Sequence, residues 1–136
     1  MQSTYLNKFK SIILVDDELD VTMVLEQGLE RLGFRVFGIT HPLLALEHFQ
    51  INSDEYGLVI SDLRMPEMNG YEFVKNIKKI KPEVRVFLMT AFEINDNEFR
   101  KVLQAVDIDE FIQKPISFNE LTRMVSKYIN IEANVL

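Results

Sequence analysis

The sequence contains no cysteine. That absence excludes a disulfide framework, a thiolate zinc site and a cysteine nucleophile, and it fits a reducing, cytoplasmic setting. There is no excess of positive charge: 15 Lys and Arg stand against 21 Asp and Glu, a formal net charge of −6. A domain of that sign repels phosphate backbones and anionic lipid headgroups, so neither direct nucleic-acid binding nor membrane association is expected. The opening MQSTYLNKFK holds no apolar core of signal-peptide length, and no uncharged apolar run reaches the ~18 residues of a membrane span. GxGxxG and Walker patterns are missing, which removes the usual dinucleotide and NTP cradles. No internal repeat, low-complexity tract or linker interrupts the chain.

What the sequence does contain is one domain's worth of core. Its 136 residues are 47% hydrophobic and 26% charged, the balance of an ordinary globular domain that folds without a metal or disulfide staple. Five apolar runs recur, each followed by helical spacing, the pattern of a parallel sheet covered by helices on both faces. Strands are predicted over 11–15, 34–39, 57–61, 84–89 and 110–112. The first helix, over 19–32, is expected to bury Val21, Val24, Leu25, Gly28 and Leu32, with Gly28 close to the sheet and Gly33 ending the helix. Thr40 is expected to cap a second helix with Pro42 in its first turn and Leu43, Leu46 and Phe49 inward. A third helix turns Phe73, Val74, Ile77 and Ile80 inward. A fourth, over 95–106, carries Phe99, Val102, Leu103 and Val106, and a fifth begins after Ser117.

In an open parallel α/β sheet, sites form beyond the carboxyl ends of the strands. Those ends carry Asp16 and Asp17, Asp62, Thr90 and Lys114, which therefore converge on one rim. Three neighbouring carboxylates repel, and a cation relieves them. Oxygen donors suit Mg²⁺, which commonly takes one or two carboxylates, waters and a phosphate. Three ionised carboxylates are balanced by Mg²⁺ and the Lys114 ammonium. A phosphoryl group adds roughly −1.5 to −2 and calls on the donors nearby, the Thr90 hydroxyl and Lys114.

The ordered set Val15-Asp16-Asp17, Ser61-Asp62-Leu63-Arg64-Met65-Pro66 with Asn69-Gly70, Met89-Thr90-Ala91 and Phe111-Ile112-Gln113-Lys114-Pro115 resembles the receiver domains of two-component response regulators, of the CheY-like fold. The resemblance implies an α/β fold with a five-stranded parallel sheet in the order 2-1-3-4-5 and five helices. It implies Asp62 as phosphoacceptor, with Asp16, Asp17, Asp62 and the backbone carbonyl of Arg64 around Mg²⁺. Thr90 and Lys114 would bind the phosphoryl oxygens, the Arg64 and Phe92 side chains would flank the site, and the Lys114-Pro115 peptide would be cis. Phe111 would follow Thr90 in a switch that alters the face made by the fourth helix, fifth strand and fifth helix, where a downstream protein would bind. The donor would be a phosphohistidine on a sensor histidine kinase or phosphotransfer protein. The resemblance spans 11–130, with a leader at 1–10 and a tail at 131–136, which leads to the expectation of a stand-alone receiver, monomeric or dimerising on phosphorylation.

Each piece alone has a plainer reading. Asp16-Asp17 also suits a helix N-terminus, Thr90 a strand end, Lys114 a solvated surface and Phe111 core packing. His41 and His48 lack a third ligand at metal spacing. Lys75, Lys78, Lys79, Lys81 and Arg85 read as a solvated face. A Mg²⁺-dependent phosphohydrolase with an aspartyl nucleophile is the competing enzyme reading, but the haloacid-dehalogenase pattern of two aspartates two apart after the first strand is not present. A degenerate receiver acting without phosphorylation is a third reading, and the complete acceptor set argues against it.

Overall fold

A computed structural model of the chain describes residues 10–91, 97, 101 and 106–129. In chain order it runs β1 (Ser11–Val15), α1 (Leu19–Arg31), β2 (Val36–Ile39), α2 (Pro42–Asn52), a single 3-10 turn (Ser53–Glu55), β3 (Tyr56–Asp62), α3 (Gly70–Ile80), β4 (Arg85–Thr90), β5 (Glu110–Gln113) and α4 (Phe118–Ser126). The five strands form one parallel sheet in the order β2-β1-β3-β4-β5. Four α-helices are found among the described residues; the helix expected over 95–106 lies almost wholly outside them.

Strand side chains alternate between two buried layers, as the two-residue period of a sheet requires. Ile13, Val15, Val59, Val86 and Leu88 pack with Ala45 and Phe49 of α2 and Phe73, Val74 and Ile77 of α3. Ile12, Leu14, Leu58, Ile60, Phe87 and Met89 pack on the other face with Leu25 and Leu29 of α1 and Leu121 and Val125 of α4. Both faces are thus covered by apolar side chains, and among the described residues the edge strands are β2 and β5. No helix among the described residues is long and apolar enough to cross a membrane.

Helix ends follow local chemistry. The Asn69 side chain accepts from the Glu72 N–H at 2.8 Å and starts α3, and Ser117 does the same for Glu120 at 3.3 Å in α4, each satisfying a donor that has no partner within the helix. Gly33 follows the end of α1 with φ 98°, a conformation that favours glycine.

Several expectations need correction. α1 buries Thr22, Leu25 and Leu29, while Val24 is 66% exposed and Leu32 40%. The helix is anchored through Thr22, whose hydroxyl donates to the Asp16 carbonyl at 2.8 Å, and that bond turns Val24 outward. Gly28 meets the Phe118 ring of α4 instead of the sheet: a Cβ there would lie 2.7 Å from ring carbons. The N-cap of α2 is His41, not Thr40, and its buried residues are Pro42, Ala45 and Phe49, with Leu43 46% exposed. The lysine face is not simply solvated either. Lys78 donates to the Val84 carbonyl at 2.6 Å, and Lys81 to the carbonyls of Ser53 and Tyr56 at 2.8 and 2.7 Å, which ties α3 to the turns beside it.

Candidate functional site

The carboxyl ends of β1, β3 and β4 deliver Asp16, Asp62 and Thr90 to one rim, and Lys114 follows β5. Parallel register sets this alignment: Val15 lies opposite Ser61, Asp62 opposite Met89 and Thr90 opposite Gln113. Backbone bonds carry the alignment one residue further, with Leu63 N–H donating to Met89 at 2.8 Å and Lys114 N–H to Thr90 at 2.7 Å.

Asp16 is fully buried, Asp62 is 7% exposed and Thr90 1%; Asp17 is exposed. The Lys114 ammonium bonds Asp16 Oδ2 at 2.9 Å and Asp62 Oδ1 at 3.1 Å. The other Asp16 oxygen, Oδ1, accepts from the Glu18 N–H at 2.9 Å, so its carboxylate is fixed at both ends. Lys114-Pro115 is cis, as the resemblance implied.

One ammonium does not balance this much negative charge. Burial pushes the Asp62 carboxyl above its ordinary value, with Asp16 and, less strongly, Asp17 adding to it, while Lys114 pulls the other way. Burial also disfavours the Lys114 ammonium, but its hydrogen bonds to Asp16 and Asp62 outweigh that and hold it above the ordinary lysine value. Carboxylate oxygens of Asp16, Asp17 and Asp62 lie within 4.8 Å of one another. A hard, oxygen-preferring divalent cation fits such a donor set and removes the repulsion that the ammonium leaves.

Beside these groups lies a depression of about 280 Å³ lined by Asp17, Glu18, Asp62, Arg64, Thr90, Ala91 and Lys114. Arg64 is thus among the residues around it; Phe92 lies outside the described residues. Phe111 is half-buried against the layer that holds Val86 and Leu88. Neither His41 nor His48 lines the depression or joins the carboxylate cluster: His41 lies 3.6 Å from Glu67, and His48 stacks on Phe37 and meets the Tyr56 hydroxyl at 2.6 Å.

Two contributors were given no role at the site by the sequence reading. Gly70 opens α3 against the end of β3: its N–H donates to Leu63 at 2.7 Å, and a Cβ there would run into the Asp62 carbonyl oxygen. Its place in the Asn69-Gly70 pair signalled a turn but not the contact. Glu18 lies with its Oε1 3.8 Å from the Lys114 ammonium; its position directly after Asp16-Asp17 was the available signal.

A doubly wound sheet whose β1, β3 and β4 ends and β5 loop converge on carboxylates, a hydroxyl and an ammonium defines a receiver-type site. The sequence model of the response regulator receiver domain matches residues 12–126, and the chain belongs to that family. Among curated proteins it is 29% identical to sporulation initiation phosphotransferase F of Bacillus subtilis, covering 92% of this chain and 98% of that protein. It is 34% identical to the transcriptional regulatory protein ZraR of Klebsiella oxytoca, over 85% of this chain but only 25% of the larger regulator. Among solved structures, a response regulator receiver domain protein from Clostridium thermocellum superposes with a TM-score of 0.79 at 25% identity, covering 93% of this chain and 99% of that one. Chemotaxis protein CheY4 of Vibrio cholerae shares the fold with a TM-score of 0.79 at 22% identity, over 89% and 99% of the two chains.

Proposed function

We propose that this receiver takes a phosphoryl group onto Asp62 from a protein phosphohistidine, with Mg²⁺ held by Asp16, Asp17, Asp62 and the Arg64 carbonyl. The observation that carries the reading is the single Lys114 ammonium shared by the buried Asp16 and Asp62 carboxylates at 2.9 and 3.1 Å. When bound, Mg²⁺ would supply charge neutralisation at the phosphoryl oxygens. The rest falls to side chains. An Asp62 carboxylate oxygen attacks phosphorus in line, the P–N bond to the donor imidazole breaks, and the electron pair stays on the imidazole nitrogen, which takes up a proton. Lys114 turns from the Asp62 oxygen to an oxygen of the new acyl phosphate, and the Thr90 hydroxyl donates to another. Attack of water on phosphorus later breaks the P–O bond, releases inorganic phosphate and restores the carboxylate.

An apolar groove of about 370 Å³ between α1 and the loop after β5 adjoins the site, and both share Glu18 and Lys114 in their walls. A donor helix seated on Val21, Val24 and Ile116 would bring its phosphohistidine to Asp62. Movement of Thr90 toward the phosphoryl group would free space for Phe111, so the face around β5 and α4 carries the output to a protein target. Phe111 has no hydroxyl, and packing alone sets its two positions.

The test is incubation with acetyl phosphate and Mg²⁺ followed by intact mass measurement. One added phosphoryl group on the native chain, absent from Asp62→Asn, supports the proposal. No adduct from acetyl phosphate or from a phosphohistidine protein sinks it, and turnover of small phosphate esters would favour the phosphohydrolase reading instead.

A further inference from the structure

Three acidic side chains, Asp16, Glu18 and Asp62, lie 2.9, 3.8 and 3.1 Å from the Lys114 ammonium, yet Glu18 is held in a different way from the others. It is the N-cap residue of α1, with extended backbone (φ −86°, ψ 111°), and its side chain makes no capping hydrogen bond to its own helix. Its backbone is fixed on both sides. The N–H donates to Asp16 Oδ1 at 2.9 Å, and the carbonyl accepts from both the N–H and the hydroxyl of Thr22 at 3.1 Å. The side chain is therefore aimed from a rigid base. Its carboxylate stands 3.8 Å from the Lys114 ammonium, which is itself 3.1 Å from Asp62 Oδ1. With 66% of its side chain exposed, Glu18 occupies the mouth of the depression, where an arriving phosphoryl donor passes.

Glu18 also forms part of the wall of the neighbouring apolar groove. A protein seated on Val21, Val24 and Ile116 gains apolar contact that offsets the repulsion of its phosphoryl group by Glu18. A small free donor has no such contact, and it also competes with Glu18 for Lys114. We infer that Glu18 is a specificity-determining residue that selects against small anionic phosphoryl donors in favour of a docked protein donor. The inference rests on the phosphoacceptor reading of Asp62.

The experiment compares adduct formation on the full chain with Mg²⁺, using acetyl phosphate and the less negatively charged phosphoramidate. Wild type, Glu18→Gln and Glu18→Asp are measured at low salt and near 1 M salt, where the Debye length is about 3 Å. With acetyl phosphate at low salt, Glu18→Gln is expected to react about threefold to tenfold faster than wild type, the range for removing one unit charge near a solvated dianion. The gain should be smaller with phosphoramidate and fall below about twofold near 1 M salt, and Glu18→Asp should stay near wild type. An adduct on wild type with no gain in Glu18→Gln overturns the inference alone. So does a gain that is equal for both donors or unchanged by salt, since either marks an effect on structure and not on donor charge. No adduct on wild type overturns the phosphoacceptor reading and this inference together.

Discussion

Replacing Gly70 with alanine sets helix propensity against the support of the site. Gly70 is the first residue of α3, its φ is not in the left-handed region, and alanine is the better helix former by about 1 kcal/mol in a helix interior. Propensity alone therefore predicts a neutral or slightly stabilised protein. Packing predicts the reverse. The added Cβ would overlap the Asp62 carbonyl oxygen and stand 2.9 Å from Leu63 Cα and 3.0 Å from the Asp62 carbonyl carbon. All three atoms are backbone, so no side chain can rotate away, and α3 must move off β3. Overpacking of this kind costs about 1–3 kcal/mol. Separation also weakens the 2.7 Å bond from Gly70 N–H to Leu63, a loss of about 1 kcal/mol. Against a propensity gain of at most about 1 kcal/mol, the net cost is about 2 kcal/mol. In urea, with an m value of about 1–3 kcal/mol/M, the midpoint should fall by roughly 1 M. Because the displaced atoms belong to Asp62 and Leu63, Mg²⁺ affinity and the phosphorylation rate should fall as well. A Gly70→Ala protein as stable as wild type, or more so, would refute the claim that this glycine exists to let α3 approach the strand end.

Four further outcomes follow from the same geometry. Saturating Mg²⁺ at a hundred times its Kd should stabilise the native chain by about 2.7 kcal/mol, a rise of roughly 10 °C in thermal melting, and most of that rise should vanish in Asp17→Asn; an equal rise in both proteins would remove Asp17 from the metal site. In chelator-treated protein, Asp62→Asn should melt higher than wild type at neutral pH. The folded-state pKa of Asp62 is raised, so its favourable contribution is complete below the ordinary value of 3.8 and is lost as pH rises through the raised one; the gap between the two proteins should close as pH falls, and a gap independent of pH contradicts this origin. Lys114→Met should destabilise the metal-free protein by about 1–3 kcal/mol, less than a fully buried pair because the ammonium is partly solvated, as read by urea denaturation; no loss would mean that the ammonium does not offset the carboxylates. Thr90→Ala should still accept a phosphoryl group, yet the resonances of Phe111 should fail to shift on phosphorylation; a wild-type shift would remove Thr90 from the coupling.

The sheet and its rim were legible because their signals are local and ordered. An uninterrupted run such as Ile12-Ile13-Leu14-Val15, short and rich in β-branched residues, fits a strand buried on both faces, and it ends at Asp16. The same logic places Asp62 at the end of β3 and Thr90 at the end of β4. Helix orientation was harder to read because apolar residues are not confined to one side. α1 carries Leu19, Met23 and Val24 outward and Leu25 and Leu29 inward, so periodicity offers two competing faces. The choice is made by the Thr22 hydroxyl reaching the Asp16 carbonyl, a contact across the β1–α1 turn that spacing does not encode. α2 has the same ambiguity, with Leu43, Leu44 and Ile51 exposed opposite Ala45 and Phe49. Lys78 and Lys81 misled for another reason: a lysine stem is long enough to carry its ammonium onto a carbonyl of a neighbouring turn, and sequence shows the charge but not the reach.

Function at this site runs against stability. Asp16 and Asp62 are like charges taken out of water, and burial and mutual repulsion hold the Asp62 carboxyl above its ordinary range. The fold tolerates that because both faces of the sheet are filled with aliphatic and aromatic side chains and because Lys114 bonds both carboxylates. Under the proposed reaction, phosphorylation removes the Asp62 carboxylate that holds one side of the ammonium and adds oxygens that attract it. Lys114 then exchanges one partner for another with no change in its own charge, while Asp16 keeps its backbone anchor at Glu18. Bonds from the Glu18 N–H and the Thr22 hydroxyl to Asp16 brace the β1–α1 turn while that exchange takes place. Under the proposed reaction the exchange is therefore felt first at Lys114 and Thr90, the two groups that turn to the phosphoryl oxygens.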